Sequence, residues 1–359
     1  MSSHKTIAKN TLFLYFRMFL TMGVGLYTSR MVLDVLGVED YGIYGLVGGI
    51  VTMFAFLNSA MASATQRYLS FDIGKGDEVR LQQTFNASVN IHFLIGIVIV
   101  ILAETVGLWF VNTQLDIPAE RMVAANWVYQ FSILAFFFNV IQVPYNALLV
   151  AREHMSVYAY ISIIDVLFKL GIVFILIYYN ADKLILYGIL TFAVSFIVRM
   201  LYRAYCKRKF KESVYKFYYD KVYYKELLNY SWWNLFGNIA AIARGQGSNI
   251  LLNIFFGPVA NAAYSLTQTV QSMIGQFVTN FQVALNPQIT KNYASGNINA
   301  SMNLMFKSSK YSFFAMLILV VPFLYNIDYV MNLWLKEVPP HAISFAHGSR
   351  HATYYCHRG

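Results

Sequence analysis

An all-α, polytopic membrane protein, with a six-helix N-terminal bundle followed by an incomplete second bundle of three helices, is the fold class this sequence predicts. Three observations carry it. Nine mostly apolar stretches of about 20 residues or more fill the chain between Thr11 and Leu335, each long enough to cross a hydrocarbon core of roughly 30 Å. The Lys and Arg residues of the connectors fall alternately on a rich and a poor side. Hydrophobic residues make up 58% of the chain and charged residues 12%, against roughly 25% charged in soluble domains, so lipid is the solvent for most side chains.

The first span lies at 11–35. It follows a polar start, Met1 to Asn10, exceeds the ~7–15 apolar residues of a secretory signal and has no small-residue cleavage site in place, so it reads as a retained helix. Span two, 41–66, carries Asn58, Ser59, Ser63, Thr65 and Gln66, side chains of the kind that hydrogen-bond across helices. Span three, 84–111, holds Glu104 in its outer half with no partner visible in the sequence, and span four, 122–150, lies between Arg121 and Arg152. In span five, 157–179, Asp165 and Lys169 are four residues apart on one helix face, where they can neutralise each other. Span six, 184–205, runs into the longest hydrophilic stretch, Tyr205 to Leu228, whose eight aromatic and seven basic residues suit the headgroup level. Spans seven, eight and nine follow at 230–256, 262–286 and 309–335. Span eight carries Thr267, Gln268, Thr269, Gln271, Ser272, Gln276 and Asn280, enough polar groups to line an aqueous path.

Seventeen connector Lys and Arg share one side, among them Lys5, Lys9, Arg67, Lys75, Arg80, Arg152 and the eight from Arg203 to Lys225, while Arg30, Arg121, Lys183 and Lys336 fall on the other. This excess sets the N-terminus in the cytoplasm. It also accounts for the net charge of +10 without nucleic acid, since the basic connectors meet an anionic leaflet. A shift of 220 residues brings Gly37 onto Gly257, Tyr44 onto Tyr264 and Gly76 onto Gly296, and spans one to three onto seven to nine, as an internal duplication does. Six helices separate the copies, so both keep one orientation about an axis along the membrane normal. The expected domains are an N-terminal lobe at 1–205, a basic aromatic linker at 206–229 and the first half of a second lobe at 230–337. Residues 338–359 then hold the start of a missing span and a polar tail, HGSRHATYYCHRG, which suggests a frameshift or premature stop.

A charge at the centre of a span costs from ~2.5–3.5 kcal/mol on insertion scales to ~10–17 kcal/mol in simulation, so it is kept where it faces protein, water or substrate. Arg17 lies about two turns into span one. Arg244 sits near the middle of span seven, in the run Arg244, Gly245, Gln246, Gly247, Ser248, Asn249. The expectation is a cavity between the lobes, with Arg17, Arg244, Gln246 and Asn249 against the cargo. An arginine fork pairs bidentately with phosphate oxygens, which lysine matches less well, so the chemistry suits a lipid diphosphate headgroup. Asp165, Lys169 and Glu104 are the candidates for coupling to H+ or Na+.

The sequence contains no P-loop, HExxH, GxSxG or Rossmann fingerprint, and Cys206 and Cys356 form no metal-spaced cluster. An enzyme, a cofactor and a metal centre are therefore not expected. Ser29, Arg30 and the run from Leu36 to Gly45, SR…LGVEDYGIYG, resemble the signature region of bacterial polysaccharide flippases of the Wzx kind, in the MOP superfamily that includes MATE exporters and the lipid II flippase. Asn286, Pro287 and Gln288, followed by Gly296, are similar to the matching part of the second lobe. The resemblance implies translocation of an undecaprenyl-diphosphate-linked oligosaccharide, an O-antigen or capsule unit, to the outer leaflet by alternating access. It implies basic cavity residues at Arg17 and Arg244, a rim contact at Arg30, and polymerase and glycosyltransferases as partners. A multidrug or cation exporter of the MATE type is the alternative, and an inactive remnant or membrane scaffold the third reading.

Overall fold

The computed structural model describes residues 3–334 apart from 53–54, 116, 222, 231, 234–235, 238–239, 241–270 and 272–273. All regular structure among them is helical; besides a helical stretch at 223–230 and short 3-10 and π turns, the helices are α1 (Ser3–Thr52), α2 (Ala55–Lys75), α3 (Glu78–Leu102), α4 (Leu108–Thr113), α5 (Met122–Ala151), α6 (Met155–Ile177), α7 (Lys183–Lys209), α8 (274–294), α9 (Ile298–Tyr325) and α10 (Ile327–Trp334). Lys9–Gly37, Glu78–Thr113, Ala119–Ala151, Met155–Ile177, Lys183–Lys209 and Ile298–Tyr325 are each long and apolar enough to cross a bilayer. The chain is a multi-pass membrane protein. Span seven and the start of span eight lie largely outside the described residues.

Helix α1 explains how a membrane helix sorts its faces. Leu12, Phe16, Phe19 and Leu26 form an exposed apolar stripe at helical spacing, whereas Leu14, Met18 and Val32 are buried against neighbours. The connector that the sequence leads us to expect at 36–40 is a sharp break at Gly37 (φ 82°, ψ 168°), so α1 is two helical segments that meet at a kink. Glycine adopts that conformation without a Cβ clash. Helix α9 begins at Ile298 rather than 309; it runs through Pro322 and ends at Tyr325, where the Asn326 amide donates to the Pro322 carbonyl. Hydropathy marks where the chain leaves lipid, and backbone hydrogen bonding continues past that point.

Helix α5 packs mainly on α7, and α1 mainly on α6. Toward the Lys-rich end the core holds Phe85, Tyr145, Leu148, Leu149 and Tyr202. Toward the opposite end it holds Val47, Val111, Val128, Tyr129 and Leu184. That opposite end is tied by Arg121, whose Nη2 meets Asp40 Oδ2 at 2.5 Å and whose Nη1 meets Asp182 Oδ2 at 2.9 Å. Asp182 also caps α7, accepting from the amides of Leu184 and Ile185. The EDYG portion of the signature therefore serves as one arm of a clasp joining three connectors.

The duplication has a structural signature. Helix α2 ends on Gly76 (φ +72°) and α8 on Gly296 (φ +81°). In the first turn Gly76 N donates to Ile73 O, Asp77 N to Asp72 O, and Arg80 N to Asp77 Oδ1. In the second, Gly296 N donates to Tyr293 O, Asn297 N to Asn292 O, and Ala300 N to Asn297 Oδ1. Each bond recurs at the same offset of 220: a Schellman ending followed by a side-chain N-cap.

The basic aromatic linker does more than tether. Beyond α7 its backbone and rings dock along α3: Lys216 N donates to Asn86 Oδ1 (3.0 Å), Asn90 Nδ2 to Tyr218 O (3.2 Å) and Tyr215 Oη to Asn90 Oδ1 (2.6 Å). The Tyr223 hydroxyl bonds to Thr84, which donates to Asp72, and Arg80 stacks 3.8 Å from the Tyr223 ring. Burial pushes the Asp72 carboxyl up to about 6.

Candidate functional site

Leu14 and Met18 bury one face of α1 and leave Arg17 directed into the junction of α1, α6 and α8. Its guanidinium carbon lies 4.7 Å from the Tyr158 ring centre, and Nη2 reaches Asn280 Oδ1 at 3.5 Å, the limit of a hydrogen bond. Its Nε is buried without a hydrogen-bond partner among the described residues. Two further contacts bring α8 to α1 here: Tyr15 Oη donates to Phe277 O at 3.2 Å, and Asn280 Nδ2 approaches Met18 Sδ at 3.1 Å. Asn280 is a residue of the polar series in span eight. A guanidinium with an unused donor at a helix junction has the chemistry to take an anion.

On the other side of Tyr158 lies a polar cavity of about 130 Å³. Asn139, Gln142 and Asn146 reach it from α5, Tyr158, Ser162 and Asp165 from α6, and Ser195, Val198 and Tyr202 from α7. Each trio recurs at helical spacing, so three polar stripes converge. Gln142 Oε1 and Asn146 Oδ1 are buried without a partner among the described residues, a setting that ordered water satisfies. Asp165 Oδ2 accepts from Lys169 Nζ at 2.9 Å, the pairing their spacing anticipates.

Arg199 of α7 escaped the sequence reading. It lies 5.6 Å from the Tyr145 ring, and its Nη1 is buried with no partner among the described residues. The signal was available, because a basic residue inside span six belongs to neither connector tally.

Glu104 is not alone, contrary to expectation: Gln130 Nε2 of α5 donates to its Oε2 at 3.0 Å. It sits in a π turn, Ala103–Gly107, whose Ala103 carbonyl is taken up by the Tyr129 hydroxyl at 2.7 Å. Such turns are frequent at functional positions. Arg30 is exposed on α1, about 20 Å along the helix from Arg17, so the two do not form one site. Arg244, Gln246 and Asn249 lie outside the described residues.

At the basic end α8 meets the α5–α6 turn. Glu153 has a positive φ of 62°, a conformation that costs a non-glycine residue about 1–2 kcal/mol. Its carboxylate accepts from Lys291 Nζ at 2.6 Å and Gln288 Nε2 at 2.9 Å. Close by, a Cβ on Gly74 would stand 2.6 Å from the Lys291 backbone and 2.9 Å from Ala294 Cβ, so α2 and α8 touch there. Burial, reinforced by Lys209, Arg152 and Lys291, holds the neighbouring His154 below its ordinary value. At the opposite end partial burial pushes the Asp182 carboxyl up, but the Ile185 amide and Arg121 outweigh it and the net position is below the usual 3.8. Among the described residues no three His, Cys, Asp or Glu side chains group closely enough to hold a metal ion.

Comparison with known proteins adds family and fold. The family model described as polysaccharide biosynthesis protein matches residues 7–293. An outward-facing multidrug resistance MATE family transporter of the MOP superfamily superposes with a TM-score of 0.81 at 14% identity, over 96% of this chain and 77% of that one. A MATE in the straight conformation gives 0.81 at 15% identity, over 96% and 77%. A MOP superfamily transporter from Pyrococcus furiosus, whose binding pocket of reverse polarity is said to suggest a different function, gives 0.78 at 15%, over 96% and 76%. No curated protein matches. At these identities the likeness to solved structures shows the fold.

Proposed function

The chain belongs to the polysaccharide biosynthesis protein family, a membrane transporter family of the MOP superfamily, and we propose that its cargo is a lipid-diphosphate-linked oligosaccharide carried from the cytoplasmic to the outer leaflet of a bacterial inner membrane. The observation that carries this reading is Arg17, a guanidinium held between α1, α6 and α8 with its Nε unpaired among the described residues. Hydrogen bonds to a charged partner are worth about 1.5–3 kcal/mol, so one such arginine discriminates a diphosphate from a neutral or cationic cargo by tenfold or more.

In this reading residues 1–205 and 230–337 belong to two lobes joined by the linker at 206–229, and the basic end faces the cytoplasm. The contacts of Glu153 with Lys291 and Gln288 and of Gly74 with Ala294 then hold the cytoplasmic side shut. Rocking of one lobe against the other must break them, which fits a strained glutamate kept for its two cross-lobe bonds. Asp165 with Lys169, and Glu104 with Gln130, are the groups available for coupling to H+ or Na+. Arg244, Gln246 and Asn249, which lie outside the described residues, stay as sequence-level candidates for cargo contact, and Arg30 has at most a rim role.

A cation exporter remains the second reading because the polar cavity holding Asp165 lies within the N-terminal bundle of a MATE-like fold. Exchange of Arg17 separates the two. In cells that depend on this protein for surface polysaccharide, Arg17→Lys and Arg17→Gln are expected to lower export at least about tenfold at unchanged protein level. Full export by both variants would refute the phosphate role.

A further inference from the structure

A second polar cavity, of about 250 Å³, opens between α2 and α8. Ser63, Gln66, Arg67 and Ser70 line it from α2, and Asn286 and Thr290 from α8. The α2 residues form one stripe with Gly74 at helical spacing, and Asn286 and Thr290 lead likewise to Ala294. The offset of 220 pairs amide with amide, Gln66 with Asn286, hydroxyl with hydroxyl, Ser70 with Thr290, and small with small at the contact, Gly74 with Ala294. The cavity therefore lies where the duplicated helices face each other across their local axis.

Its chemistry favours an anion. The named lining groups are hydroxyls, amides and one guanidinium, with no carboxylate to hold a cation. Ser70 is 1% exposed, and its hydroxyl has no hydrogen-bond partner among the described residues. Arg67 sits over the Tyr230 ring, 4.5 Å from centroid to guanidinium carbon, a contact made through π-electrons that consumes no N–H donor and leaves donors to offer. The two carboxylates in the neighbourhood are engaged elsewhere, Glu153 by Gln288 and Lys291 and Glu226 by Arg80. The sequence reading ends spans two and eight at Gln66 and Asn286, an expectation that would set the cavity near the lipid headgroups.

We propose that this junction cavity binds a phosphate or diphosphate group through Arg67, Ser70 and Thr290. It is separate from the Arg17 junction, whose α8 contact, Asn280, lies about 9 Å further along the helix from Asn286. The inference goes beyond the cargo reading, because such a group arrives either on a lipid headgroup or as a free ion.

The test uses the full chain carrying Arg17→Gln, purified into lipid nanodiscs, so that Arg17 contributes nothing to the signal and failure of the cargo reading leaves the result untouched. Inorganic pyrophosphate and a short-chain prenyl diphosphate are each titrated by calorimetry. Saturable binding is expected, weakened about threefold to tenfold by Ser70→Ala or Thr290→Val and tenfold or more by Arg67→Gln. Ser70→Ala removes an unpartnered buried hydroxyl, so it leaves the fold intact, and an unchanged melting temperature checks this. Tighter binding of the prenyl diphosphate, displacing pyrophosphate, identifies a lipid headgroup; binding of pyrophosphate alone identifies a free ion. No saturable binding of either probe, or binding indifferent to Arg67→Gln and Ser70→Ala, overturns the proposal.

Discussion

Arg121 does at the residue scale what no hydropathy profile can: one guanidinium joins Asp40 of the α1 bend, its own connector and the Asp182 cap of α7. All three side chains are partly buried, which shields the pairs from solvent screening. Arg121→Ala is expected to destabilise the chain in detergent by about 1–2 kcal/mol at pH 7. The sign with pH follows from the depressed Asp182. A carboxyl lowered in the fold contributes stability above its unfolded value, near 3.8, and loses it as pH falls through its folded value. Denaturation at pH 7 and near pH 3 should therefore give a wild-type advantage that is present at neutrality and shrinks in acid. A gap independent of pH would assign Arg121 to packing alone. The pairing of Asp165 with Lys169 was legible in the sequence because the helix itself brings i and i+4 together. The pairing of Glu104 with Gln130 was not, because it depends on how α5 is rotated against span three.

At the scale of elements, the turn between α5 and α6 combines a backbone ending that prefers glycine with a glutamate whose carboxylate leaves its own bundle for α8. Two variants separate the backbone from the side chain. Glu153→Gly removes the strain and the bonds to α8 together, whereas Glu153→Gln keeps a hydrogen-bonding group and removes the charge. Both should loosen the basic ends of α2 and α8, with Glu153→Gln raising the separated population about tenfold. Spin labels at Lys75 and Ser295 would report this as a longer component in the distance distribution, and an unchanged distribution in both variants would leave the bonds without a latching role. The sequence anticipated the positions of most spans and the break at 36–40, but it misplaced the start of the last span at 309. Apolar content reports depth in the bilayer, while the helix persists until a glycine or a cap interrupts its hydrogen bonds.

For the whole molecule, the apolar stretches made the multi-pass helical fold legible in the sequence, and the offset of 220 anticipated the matching turns at Gly76 and Gly296. Which residues meet across the bundle was not recorded there. Asn280 against Arg17, Glu153 against Lys291 and the linker on α3 each depend on the rotation and tilt of neighbouring helices, which packing decides. The central proposal is that the chain moves an anionic lipid and recognises it by its phosphates. The most direct measurement is flipping of a labelled prenyl-diphosphate-linked oligosaccharide in vesicles containing the purified chain, read by the label's accessibility to an external enzyme. The account predicts flipping above protein-free vesicles, inhibited by excess prenyl diphosphate and not by a hydrophobic cation. Flipping indifferent to prenyl diphosphate, or transport of the cation alone, would contradict it.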